Sequence, residues 1–112
     1  MPGEADGVAI AGDYAYLADW DYGYFQVIDI SDVSAPTSVG VFDTPGSALG
    51  LAAEGSWVYV ADRSEGLQVL DVSDPEHPTI VGSCDTPDFA MNVIVSGDHV
   101  YVADFSSGLQ VI

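Results

Sequence analysis

The sequence predicts an all-β fold made of repeated four-stranded antiparallel units, and three observations predict it. The chain repeats itself: Tyr59-Val60-Ala61-Asp62 returns forty-two residues later as Tyr101-Val102-Ala103-Asp104 and stands earlier as Tyr16-Leu17-Ala18-Asp19. Segments 58–70 and 100–112 agree at ten of thirteen positions. Each copy also divides into short apolar runs whose side chains alternate with a period of two, the spacing of a strand. Between the runs stand Gly, Pro, Ser and Asp, which turn the chain through positive φ, fixed φ or local side-chain hydrogen bonds. No window holds a sustained helical period. Four antiparallel strands in a unit of roughly 42 residues is the pattern of a β-propeller blade.

The middle unit gives the elements in order: apolar runs at Ala48–Ala53, Trp57–Ala61, Leu67–Val72 and Thr79–Cys84. The connectors are Glu54-Gly55-Ser56, then Arg63-Ser64-Glu65-Gly66, then Ser73-Asp74-Pro75-Glu76-His77-Pro78. The first run of every unit is rich in small residues (Val8-Ala9-Ile10, Ala48-Leu49-Gly50-Leu51, Ala90-Met91-Asn92-Val93), as suits the crowded strand that lines a propeller channel. The chain is thus one domain over 1–112, with units at approximately 6–47, 48–89 and 90–112. These are about two and two-thirds repeats, eleven strands in all, the third blade lacking its outermost strand. The first copy carries one extra residue between Asp19 and Phe25.

The recurring Tyr-Val-Ala-Asp, Gly-Leu-Gln-Val, Ser-Asp-x-x-x-Pro and Asp-Thr-Pro segments resemble the LVIVD repeat, across essentially the whole chain beyond its first five residues. That resemblance implies propeller blades of the kind found in large secreted or cell-surface bacterial and archaeal proteins. It implies an extracellular or surface location and a non-enzymatic scaffold or protein-interaction role, because blades are scaffold and function sits in loops. Three blades do not close a ring, since propellers usually have four to eight. Missing blades or further copies of the chain are expected to complete it; by length, two copies make a six-bladed ring and three an eight-bladed one.

Eighteen acidic residues face a single base, Arg63, for a net charge of −17. Such a surface repels phosphates, which argues against nucleic acid and anionic lipid as partners. It also predicts stabilisation by salt. There is no apolar run of membrane-spanning length, and MPGEADG lacks the basic and apolar regions of a secretory signal. Cys84, the only cysteine, forms no intrachain disulfide; it replaces Phe42 of the previous unit and is expected as a buried apolar filler.

The candidate residues fall into three groups. Asp19, Asp62 and Asp104 each end a second strand, where a carboxylate can accept N–H groups of the following turn. A cation site is the alternative, with Asp62 and Glu65 one conceivable pair, although Ser107 replaces the acid in the next unit. Calcium is the one cofactor considered, and no residue is assigned to it. Asp29-x-x-Asp32 and Asp71-x-x-Asp74 read as corners after third strands. Trp20, Tyr22 and Tyr24 cluster in the irregular first-unit loop, with Phe105 at the matching turn of the third, and suit a protein or glycan contact. This makes a calcium- or carbohydrate-dependent adhesion module the alternative function. The histidines His77 and His99 do not recur, and no nucleophile elbow or zinc motif is present, so no catalytic residue is assigned.

Overall fold

In the computed structural model, which describes residues 5–19, 24–44, 46 and 48–112, the chain forms eleven strands in three antiparallel sheets. The first sheet runs in order through β1 (Ala5–Ala11), β2 (Tyr14–Asp19), β3 (Tyr24–Asp29) and β4 (Thr37–Asp43). The second follows with β5 (Gly50–Glu54), β6 (Trp57–Ala61), β7 (Leu67–Asp71) and β8 (Thr79–Cys84). The third holds β9 (Asn92–Ser96), β10 (His99–Ala103) and β11 (Leu109–Val111), after a single 3₁₀ turn at Phe105–Ser107. These are three propeller blades, the third without an outer strand, as the repeat predicts. The expected inner run Ala48–Ala53 is shifted: the ladder begins at Gly50, because Ala48 and Leu49 still belong to the connection arriving from the first blade.

Local chemistry explains each hairpin. The first turn of every blade has two residues with a glycine leading, Gly12, Gly55 and Gly97, all at φ 59. That is the glycine-first turn whose twist suits the flanking strands. The third and fourth strands are joined by the Ser-Asp corner, and the ladder slips by one residue at the same place in both complete blades, between Val27 and Ile28 and between Val69 and Leu70.

The inner strands β1, β5 and β9 lie side by side in succession. Their approach is so close that a Cβ on Gly50 would come within 2.7 Å of the Asn92 Cα, which accounts for the small residues at the start of each unit. Packing between the sheets makes the core. Tyr16, Ala18, Phe25 and Val27 of the first blade meet Ala48, Leu51, Val58, Val60, Leu70 and Val72 of the second. The Tyr16 and Phe25 rings stack at 5.7 Å. Ala61 and Leu67 of the second blade meet Ala90, Val93 and Val102 of the third. Each blade thus has a trailing face turned to its successor and a leading face turned to its predecessor.

Candidate functional site

The hairpins and connections form two rims. On one, the turn after the inner strand meets the corner after the third: Ile30 N–H donates to the Asp13 carbonyl at 2.8 Å, and Val72 N–H to that of Ser56 at 2.9 Å. On the other rim, turns 62–66 and 104–108 meet the connections that lead from one blade to the next.

Asp19, Asp62 and Asp104 are all fully buried on that second rim. Contrary to expectation, the carboxylates of Asp62 and Asp104 accept the N–H groups of the incoming connections rather than those of their own turns. In the second blade the turn closes through backbone alone, with Asp62 N–H donating to the Gly66 carbonyl at 2.8 Å and Glu65 N–H to the Asp62 carbonyl at 3.0 Å. The Asp62 carboxylate reaches back instead, accepting the Gly46 N–H at 3.0 Å from the connection that enters its blade. Asp104 does the same with the Asp88 N–H, also at 3.0 Å. The sequence signal was present but unused: Thr44-Pro45-Gly46 recurs as Thr86-Pro87-Asp88, so each connection offers the same N–H to the same carboxylate.

Burial raises the Asp62 pKa, partly offset by hydrogen bonds from Thr44 and Gly46, while Glu65 nearby adds to the rise. Gly46 leaves no room for a side chain, because a Cβ there would collide with the Asp62 carbonyl oxygen and sit 3.0 Å from the Glu65 Cγ. Asp88, its counterpart, turns its own carboxylate to Ser106, whose N–H donates at 3.2 Å and whose hydroxyl also donates. Those bonds hold the Asp88 pKa below the usual carboxylate value, the hydroxyl contributing most.

The same rim carries a patch that sequence reasoning found only in part: it singled out Phe105, but not Phe89 or the placing of Arg63 beside it. Arg63 adopts a left-handed φ of 51 and exchanges two backbone hydrogen bonds with Ala90, at 3.1 and 3.0 Å. Its guanidinium lies 5.1 Å from the centre of the Phe89 ring. Phe105 holds the equivalent position in the third blade with a similar φ of 39, exposed, its ring 6.2 Å from Phe89. Arg63, Phe89 and Phe105 therefore form one patch across two blades. Phe89 has no counterpart in the preceding connection, so nothing in the repeat marks it. Of the expected aromatic loop, Tyr24 opens β3, half-buried in the ladder opposite Asp19 and Asp43, whereas Trp20 and Tyr22 lie outside the described residues.

The acidic corners on the opposite rim are Asx turns. Asp29 accepts the N–H and hydroxyl of Ser31 at 2.9 and 2.7 Å, and Asp32 those of Ser34 at 3.1 and 2.7 Å. Asp71 accepts the Ser73 N–H at 2.8 Å. These bonds lower the pKa of Asp29, Asp32 and Asp71. Asp74 accepts the Glu76 N–H at 3.2 Å and faces the His77 Nδ1 at 3.1 Å. Among the described residues this is where metal-ligating groups converge: Asp74, Glu76 and His77, all exposed, offer atoms within 4.8 Å of one another. Asp74 Oδ1 accepts the Glu76 N–H of its own turn, so the same group also closes the corner. His99 stands on β10 beside Tyr101 in the third sheet, whereas His77 lies in the corner between β7 and β8.

Cys84 corrects one expectation, because it is exposed. It ends the outer strand β8, where the blades diverge. The larger Phe42 ring of the first blade still reaches the core from the matching place, and a thiol is too short to do so. A hollow of about 460 Å³ opens along the inner strands between Gly7, Leu49, Gly50, Met91 and Asn92. No titratable side chain lines it, and the Asn92 Oδ1 is taken by the Val93 N–H at 2.9 Å.

No functionally curated protein matches the chain. Among solved structures it is similar to a functionally unknown protein from Desulfotomaculum acetoxidans (TM-score 0.82, 19% identity, all of this chain and 42% of that one). It is also similar to BamB from Moraxella catarrhalis (0.77, 16%, 98% of this chain and 34% of that one). A third is the glutaminyl cyclase of Myxococcus xanthus (0.71, 17%, 96% and 47%). The chain spans less than half the length of each. These likenesses show the fold. Family models of the LVIVD repeat match residues 2–44, 45–86 and 89–112, three consecutive copies. The chain belongs to the LVIVD repeat family of β-propeller proteins.

Proposed function

We propose that this chain is a non-enzymatic protein-interaction module that presents its contact surface on the rim of the buried aspartates. The observation that carries this is the patch of Arg63, Phe89 and Phe105. It sets the single base of the chain and two exposed aromatics on a backbone pinned from below by Asp62 and Asp104. Rigid anchoring beneath variable turns suits recognition, and Arg with aromatic rings is the composition that carries binding energy in protein interfaces. The turn sequences differ between blades, Arg63-Ser64-Glu65 against Phe105-Ser106-Ser107, on a constant frame. The acidic remainder of the surface disfavours nucleic acid and anionic lipid. Solved propellers with the same fold include a glutaminyl cyclase, so the fold itself does not decide against catalysis. The non-catalytic role proposed for this chain rests on its rim chemistry, and an extracellular or cell-surface setting on its kinship with LVIVD proteins.

A calcium- or carbohydrate-dependent adhesion module is the second reading, favoured by the exposed group Asp74, Glu76 and His77. Immobilised protein, incubated with extract of its source organism and read by mass spectrometry, separates the two. Protein partners retained by wild type but lost with Arg63→Glu and Phe89→Ala support the rim. Retention unchanged by those substitutions and abolished by chelator or free sugar overturns it in favour of adhesion.

A further inference from the structure

We propose that Arg63 recognises a carboxylate of the partner: an Asp or Glu side chain, next to an apolar residue, on a polypeptide of net positive charge. The inference deepens the reading of this rim as a protein contact and rests on it. Arg63 is the only Lys or Arg in a chain with eighteen acids, yet among the described residues no carboxylate pairs with it. The acids nearest to it in the sequence and across the contact are each turned elsewhere. Asp62 precedes it, but is fully buried with its carboxylate on the Gly46 N–H. Glu65 follows, and its stem lies over Gly46, where an added Cβ would meet the Glu65 Cγ at 3.0 Å. Asp88 adjoins Phe89, but one of its oxygens accepts the Phe89 N–H at 2.8 Å and the other the N–H and hydroxyl of Ser106. Gly46 lies on the connection that enters the second blade and Phe89 on the one that leaves it, so Glu65 leans one way and Arg63 the other.

What holds Arg63 leaves its hydrogen-bonding edge open. Two backbone bonds to Ala90, itself fully buried, and a left-handed φ fix the direction in which the side chain leaves its turn. The Phe89 ring then supports the guanidinium at 5.1 Å, a contact that spends none of its N–H groups. A guanidinium resting on a ring presents a planar fork that fits a carboxylate through two parallel N–H···O bonds, and such charge-assisted bonds are about twice as strong as neutral ones. Phe89 is 39% exposed, so the ring that carries the guanidinium also offers an apolar contact to whatever flanks the incoming carboxylate. The rest of the surface decides what brings that carboxylate. With a net charge of −17 the chain repels an acidic partner at long range and attracts a basic one, so the carboxylate arrives as a lone acid in a basic setting. Arg63 then fixes the register of the complex, because it is the one Lys or Arg that an acid of the partner can meet. All of these residues lie where the second blade meets the connection to the third.

The test uses short labelled peptides of Lys, Ser and Gly, each carrying one Phe beside one Glu and ending in an amide, against a matched set with Gln in place of Glu. Binding to the full chain is read by fluorescence anisotropy. Wild type should bind the Glu peptides about tenfold more tightly than the Gln peptides, as one charge-assisted pair allows. Arg63→Gln, with an unchanged circular dichroism spectrum, should lose that preference and keep the weaker attraction to the basic background. Equal affinity of wild type for both sets overturns the proposal without the help of any variant. So does a preference that survives Arg63→Gln, or the absence of binding by either set. Gln peptides that end in a free carboxylate and bind as tightly as the Glu peptides overturn the side-chain assignment in favour of a chain terminus. Binding that falls with Phe89→Ala but ignores the exchange of Glu for Gln sinks the carboxylate and keeps the rim as a contact. Binding indifferent to both Arg63 and Phe89 sinks the rim as well.

Discussion

The carboxylate of Asp62 and the backbone N–H of Gly46, sixteen residues apart, are joined by a 3.0 Å hydrogen bond that ties each incoming connection to the second strand of its blade. Asp104 and Asp88 repeat the bond across the same interval. A buried charged acceptor is a costly thing to place in a small core, and here it fixes where one blade begins relative to the last.

Asp62→Ala should therefore destabilise the fold by about 2–3 kcal/mol, the range for losing a charge-assisted bond and leaving a buried N–H unpaired. Asp62→Asn keeps an acceptor without a charge and should cost less than about 1 kcal/mol. Urea denaturation of both variants checks this, with Asp32→Ala, at an exposed corner, as the control. Equal losses for Asp62→Ala and the control would show that the connection is held by something else.

Acid should act on two groups of carboxylates in opposite directions. The Asp62 pKa is raised in the fold by burial, so the folded state binds its proton more tightly than the unfolded chain does. Stability should then rise as pH falls through the raised folded value, and the gain should be complete below the unfolded value of 3.8. Asp29, Asp32, Asp71 and Asp88 have lowered values, so their contribution is present above 3.8 and fades as pH drops through the folded values. Urea midpoints between pH 7 and 4 should rise more steeply in wild type than in Asp62→Asn. Parallel curves would show that Asp62 does not titrate in this window.

Because the core lies between sheets, truncation should hurt according to which face a side chain occupies. Leu70 is buried where the second blade meets the first, and Leu70→Ala should cost about 2–5 kcal/mol. Val81 is exposed on the outer strand, and Val81→Ala should stay within about 0.5 kcal/mol. Thermal or urea unfolding ranks the two, and comparable losses would place the core elsewhere.

Strand number, hairpin order and the position of the inner strands were legible because they depend on local pattern, and the pattern recurs. Gly55 and Gly97 announce their turns by type alone. The partners of Asp62 and Asp104 were less legible, because an aspartate ending a strand offers its oxygens equally to its own turn. Only the approach of the incoming connection decides between them. The pairing of Arg63 with Phe89 depends on how one blade leans on the next, and Phe89 appears once in the chain's repeats. Cys84 misled for a related reason: its counterpart Phe42 reaches the core by ring size, a property that position in the repeat does not convey.

Charge provides the last prediction. Among the described residues the ion pair present joins His77 to Asp74, both exposed, and it forms only when the imidazole is protonated. With a net charge of −17, self-repulsion opposes the compact state, and salt relieves it. Raising NaCl from 0.1 to 1 M shortens the screening length from about 10 to about 3 Å, so the urea midpoint should climb steadily across that range. Calcium chloride at matched ionic strength should add nothing if the acids act only as a diffuse charge. A true site would behave differently: calcium supplied at a hundred times its dissociation constant would add about 2.7 kcal/mol. Such an increment, abolished by His77→Ala or Asp74→Asn, would turn the corner of Asp74, Glu76 and His77 into a binding site and move the adhesion reading ahead of the rim.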